Sequence, residues 1–178
     1  MQETLDLDLW LDQSLMQRQN QLKADFLELF EQLGNSVTNQ ELTQYFPNSK
    51  GKKISKGNQL QGLPYFVLDL IRDFELDSGC NIRFVSWFGH GLFCCVFFGR
   101  NLNHSNQSFL NLGFKLGNTA APWDLPAQIE WLEKTESIPS PDQRAKLWIK
   151  KILLPADKMQ GLQLLEAEMN KILQVKLI

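Results

Sequence analysis

RFVSWFGHGLFCCVFFGR, residues 83–100, is the stretch on which the fold turns. It holds two runs of strand-forming residues, NIRFVSWF and LFCCVFFG, on either side of Gly89-His90-Gly91. Glycine takes the positive φ that a tight hairpin closure needs, so the spacing predicts an antiparallel pair. Closing the turn on those three residues sets Phe88 opposite Leu92 and Phe84 opposite Val96. Trp87 then lies opposite Phe93, and Val85 opposite Cys95, on the other face. Successive side chains of a strand point to opposite faces, so Cys94 and Cys95 look apart. Both faces are apolar, where a one-sided antiparallel sheet alternates with polar residues. The second face needs a cover: helices of the chain, an apolar ligand or another copy.

Working outward, LPYFVLDLIRDF (63–74) reads as a preceding strand over about 65–70, and Asp77-Ser78-Gly79 as the turn after it. SFLNLGFKLG (108–117) reads as a further strand, which makes a meander. The lysine-bearing segment PNSKGKKISKGNQLQG (47–62) reads as a solvated loop. Leu22, Phe26, Leu29, Phe30 and Leu33 recur at helical spacing, which predicts a helix over about 10–33, and NQELTQYF predicts a short one closed by Pro47. Toward the C-terminus, DLPAQIEWLEK predicts a helix capped by Asp124. SPDQRAKLWIKKILLP predicts another, with Ser140, Pro141 and Gln143 as its start and Ala145, Trp148, Ile149, Ile152 and Leu153 as its stripe. Leu162, Leu165, Met169, Ile172 and Leu173 mark a last helix. The expected fold is α+β in one domain, residues 1–178: an antiparallel sheet of about four strands, an N-terminal helix, and C-terminal helices packed on it.

Length and composition bound the function classes. A chain of 178 residues, 43% hydrophobic and 21% charged, can bury a real core. A net charge of -2 gives no general electrostatic pull toward nucleic acid or an anionic membrane. Residues 84–99 fall short of the roughly 20 apolar residues of a spanning helix and include glycines. Three cysteines, two of them adjacent, are a poor start for disulfides, and the acidic opening MQETLDLDLWLD lacks the basic and apolar regions of an export signal; a cytoplasmic protein is expected.

The chemistry-bearing candidates are sparse. No CxxC or HxxxH spacing offers converging metal ligands, and none of the nucleotide or hydrolase motifs occurs, so no cofactor and no metal is expected. A cysteine nucleophile needs a thiolate, and the phenylalanines around Cys94 and Cys95 disfavour one. Asp69 and Asp73 near Arg72 read equally as surface charges or as a structural ion pair. Trp87 and Phe93, with His90 at the rim, are the residues that an interface or an apolar pocket would use. The leading expectation is a non-enzymatic protein acting through association with itself or another protein. Binding of an apolar or aromatic small molecule is the alternative, a hydrolase or thiol enzyme ranks third, and nucleic acid rests on the lysine segment alone.

GLPYFVLDL (62–70) followed by IRFVSWFGHGLFCCVFF (82–98) resembles an uncharacterised family of bacterial proteins. In those, a Gly-Leu-Pro-Tyr strand precedes an aromatic-rich strand pair with a Trp-x-Gly-His-like turn. The similarity spans roughly residues 60–100. It implies a shared structural unit in the middle of the chain and no catalytic residue.

Overall fold

A computed structural model describes residues 4–134 and 145–175. The fold is α+β, with helices at both ends of an antiparallel sheet. The chain runs α1 (Leu7–Leu11), α2 (Gln13–Asn35), α3 (Asn39–Tyr45), β1 (Lys53–Leu60), β2 (Leu63–Arg72), β3 (Cys80–Trp87) and β4 (Gly91–Phe98). It continues through α4 (Asn106–Asn111), β5 (Lys115–Leu116), α5 (Leu125–Lys134), β6 (Lys146–Ile152) and α6 (Lys158–Leu173). Among the described residues six strands stand in the order β1-β2-β3-β4-β6-β5. The first four form a meander; β6 returns from far along the chain to pair with β4, and β5 lies outside it.

The hairpin of β3 and β4 forms with both faces as expected and with its register slid. Trp87 pairs with Gly91, Val85 with Phe93 and Phe84 with Cys94, so the connection is Phe88-Gly89-His90. Phe88 leaves the ladder because its ring fits edge-on against Phe26 at 5.7 Å and Phe66 at 5.8 Å. A slip of one residue would exchange the faces; each partner here moves by two, and the faces keep their members. Phe84, Leu92, Cys94, Val96 and Phe98 join the larger core under α2, α3, α4 and α6. Val85, Trp87, Phe93, Cys95 and Phe97 form a second core on the opposite face.

Three segments depart from the sequence reading. Residues 146–152, expected as a helix, are β6. A strand beside β4 is apolar on both sides: Leu147 and Ile149 join the second core, Trp148 and Ile152 the first. Such a run also satisfies helical spacing, so periodicity misleads. The expected start of that helix at Ser140, Pro141 and Gln143 lies outside the described residues. The expected strand at 108–117 is instead α4, capped by the Ser105 hydroxyl, which accepts from the Ser108 N–H at 3.2 Å, followed by the two residues of β5. Phe109 enters the core by stacking on Trp148, with centroids 5.4 Å apart.

The lysine segment, expected as a loop, is edge strand β1. A turn at Gln61-Gly62, both at positive φ, joins it to β2. Lys53 and Lys56 are exposed along the edge, where lysines discourage pairing with another sheet. Lys52 turns inward and donates from Nζ to the carbonyls of Gly34 and Val37 at 2.6 Å each, closing the C-terminal end of α2. α3, α5 and α6 follow the sequence reading, whereas the helix expected over about 10–33 is broken at Asp12 into α1, which starts earlier at Leu7, and α2. Asp124 Oδ1 accepts from the Ala127 N–H at the start of α5, and Thr38 with Glu41 makes a capping box on α3.

Candidate functional site

The second face is covered in part by the chain itself. Leu125, Ile129 and Leu132 of α5 lie over β4 and β6, and Trp123 packs on Phe97 at 4.9 Å. Farther along this face, Arg83 pairs with buried Asp69 at 2.9 Å, while its guanidinium sits 5.3 Å from the ring centres of both Phe74 and Trp123. Asn81 also donates to Asp69, at 3.0 Å. The structural ion pair therefore joins Asp69 to Arg83, and Arg72 bonds instead to the Lys50 carbonyl. The Asp69 carboxylate is thus met by two donors, Arg83 and Asn81, and the Arg83 guanidinium ties the sheet to Trp123.

Between α5 and the strands a cleft of about 360 Å³ remains. Phe93 and Ile149 lie in its floor, Ile129 and Leu132 in its wall. Lys115, Lys151, His90 and Glu133 stand around it. Lys151 lies across Gly91, whose missing side chain leaves room for the lysine stem, and its Nζ sits 5.7 Å from the Phe93 ring centre. His90 is stacked on Trp87, centroids 3.6 Å apart and planes 15° from parallel. Trp87 is fixed in turn because its Nε1 donates to the Leu60 carbonyl at 3.1 Å. Of the three candidate residues, His90 and Phe93 thus share the cleft. Trp87 supports His90 from below and lines a separate groove with Leu22, Phe26 and Leu154. The sequence reading missed Lys115, Ile149 and Lys151, because it placed 115 in a longer strand and 149–151 on a helix.

A different surface lies at the N-terminus. None of the residues of α1 is buried, and α2 buries side chains only from Leu29 onward. Leu7, Leu9, Leu15, Met16 and Leu22 are exposed, as are Trp10 at 71% and Leu11 at 69%. Asp6 and Asp12 cap the two helices by accepting from the N–H groups of Leu9 and Leu15, so this greasy arm is capped helix that stays exposed among the described residues.

No family model, curated protein or solved structure matches the chain. The reading of these surfaces therefore stands on their geometry.

The thiols are poorly placed for nucleophilic work. Cys80, Cys94 and Cys95 are free and buried. Burial pushes all three thiols up; the Cys95 thiol reaches about 12 even beside Arg83. Cys94 feels in addition its neighbour Cys95 and the Glu168 carboxylate. In native protein at pH 8, iodoacetamide should label none of the three within the time that labels all of them in urea. A single rapidly labelled site would reinstate thiol chemistry. Burial also pushes the His104 imidazole down to about 4, and its Nε2 accepts from Trp148 Nε1 at 2.8 Å, a core role. Among the described residues no group of three or more His, Cys, Asp or Glu could hold a metal ion, and no helix is long and apolar enough to cross a membrane.

Proposed function

We propose that the protein works by association, with a second copy of itself, through the N-terminal arm of α1 and the first turns of α2. The observation that carries this reading is the run of exposed leucines and Trp10 on α1, none of whose residues is buried, and on the part of α2 that precedes its first buried residue, Leu29. Isolated exposed leucines are ordinary; a contiguous set on a capped helix is a contact surface.

Charge favours a second copy in antiparallel, two-fold arrangement. The arm opens with Asp6, Asp8 and Asp12 and carries Arg18 and Lys23 further on. Antiparallel pairing lays the acidic start of one arm along the basic stretch of the other, whereas parallel pairing stacks like charges. A two-fold contact is self-complementary, the commonest form of soluble oligomer.

Sedimentation velocity tests it. Wild type should sediment as a dimer at micromolar concentration, and Leu11→Asp with Leu15→Asp should be monomeric, because each buried leucine contributes about 1.5–3 kcal/mol. The monomeric variant should still unfold cooperatively, since neither side chain is buried within its own chain, with a midpoint lowered only by the lost association. Arg18→Glu with Lys23→Glu should weaken the dimer, and adding Asp6→Lys with Asp8→Lys should restore it. A wild type that stays monomeric at every concentration ends the proposal.

A further inference from the structure

We infer that the cleft under α5 is a binding site for a small organic carboxylate with an aromatic or branched apolar body. The apolar part would rest on Phe93 and Ile149 beneath Ile129 and Leu132, and the carboxylate would face Lys115 and Lys151.

Three features converge. The floor belongs to rigid central strands: Phe93 and Ile149 are buried, and their strands β4 and β6 are paired along their full length. An apolar floor alone would accept any greasy molecule, and the surrounding charges discriminate. Lys115 and Lys151 are exposed and make no ion pair among the described residues, whereas Lys150, which also borders the cleft, has its ammonium engaged by Glu168. Register explains the difference. Lys151 pairs with Phe93 and Lys115 with Ile149, so both share the cleft's face, while Lys150 pairs with Cys94 and shares the opposite one. The third feature is His90, whose ring is held flat on Trp87 and presents a polar edge at the mouth. Among the described residues Glu133 is the one acid around the cleft, and it opposes a dianion more than a monoanion. An ammonium is a compact point charge that suits a single carboxylate.

The inference is independent of the arm: α1 and the first turns of α2 contribute nothing to this cleft. The test uses full-length protein and three probes of one shape, 4-phenylbutyrate, 4-phenylbutanol and 4-phenylbutylamine, titrated by calorimetry with amide chemical shifts recorded in parallel. The acid should bind about tenfold more tightly than the alcohol, the amine should bind weakest, and shifts should concentrate on β4, β6 and α5. Lys115→Met with Lys151→Met keeps the apolar stems and should erase the preference for acid over alcohol. Leu132→Trp should fill the cleft and abolish binding of all three. Equal binding of acid, alcohol and amine overturns the inference, as do failure of the acid to bind and undiminished binding by the Leu132→Trp variant.

Discussion

Taken from pH 8 to pH 10 in reductant, the protein should lose about 6 kcal/mol of unfolding free energy, most of what a domain of this size possesses. The cause is the three buried thiols, all held protonated in the folded state by burial. In the unfolded chain they ionise with a pKa near 8.5. A group whose folded pKa is raised contributes its stability below the unfolded pKa and loses it as pH climbs above. Each thiol costs about 1.4 kcal/mol per pH unit there, so three give a slope of about 4. Tyr45, also pushed up by burial, adds to the fall above pH 10. Urea midpoints at pH 7.5, 9 and 10 measure the slope, and the same series on Cys80→Ala, Cys94→Ala, Cys95→Ala should show it largely gone. Equal slopes for the two proteins would contradict the assignment.

Glu168→Ala should cost about 2–4 kcal/mol, the other large effect. Glu168 is buried on α6 and accepts from Lys150 of β6 and, at 2.9 Å, from Lys171. Burial pulls its carboxyl up, but the two lysines more than offset that and hold it below the ordinary range. Removing it strands the Lys150 ammonium, only 23% exposed, beside Cys94 and Trp148. Adding Lys150→Met to Glu168→Ala should recover most of the loss, because an uncompensated charge, not a lost attraction, dominates the cost. Denaturant unfolding of the four proteins of this cycle decides the matter. The depressed carboxyl also sets an acid limit: its contribution holds at neutral pH and disappears as pH falls through its folded pKa.

The sequence disclosed the hairpin best. Its faces were readable because Phe84, Val85, Cys94 and Cys95 alternate strictly, and that alternation survived a register shift which local patterns could not reveal. The shift came from Phe88 meeting Phe26 and Phe66, residues far away in the chain. The same two-sided apolarity that identified the centre of the sheet concealed β6. KLWIKKI has apolar residues for both cores and so matches a helical stripe equally well. With β6 hidden, the strand count stopped short at four, and Lys151 could not be assigned to the same cleft as Phe93. β1 was hidden for the opposite reason: an edge strand tolerates lysine and glycine, and Gly57 is there because the Tyr65 ring would lie 2.6 Å from any Cβ. The N-terminal arm was legible as helix only from about residue 10, because Leu5, Leu7, Leu9 and Leu11 alternate as a strand would, and its exposure among the described residues is a tertiary fact.

The placement of β6 between β4 and β5 has a consequence for the protein's birth on the ribosome. When residues 91–98 have left the exit tunnel, the outer rim of β4 has no partner, and none arrives until some fifty further residues have been made. During that interval CCVFF is a ready template for joining another nascent chain. Synthesis that stalls between α4 and β6 should therefore leave aggregates, and early engagement by a chaperone should matter more for this molecule than its modest length suggests.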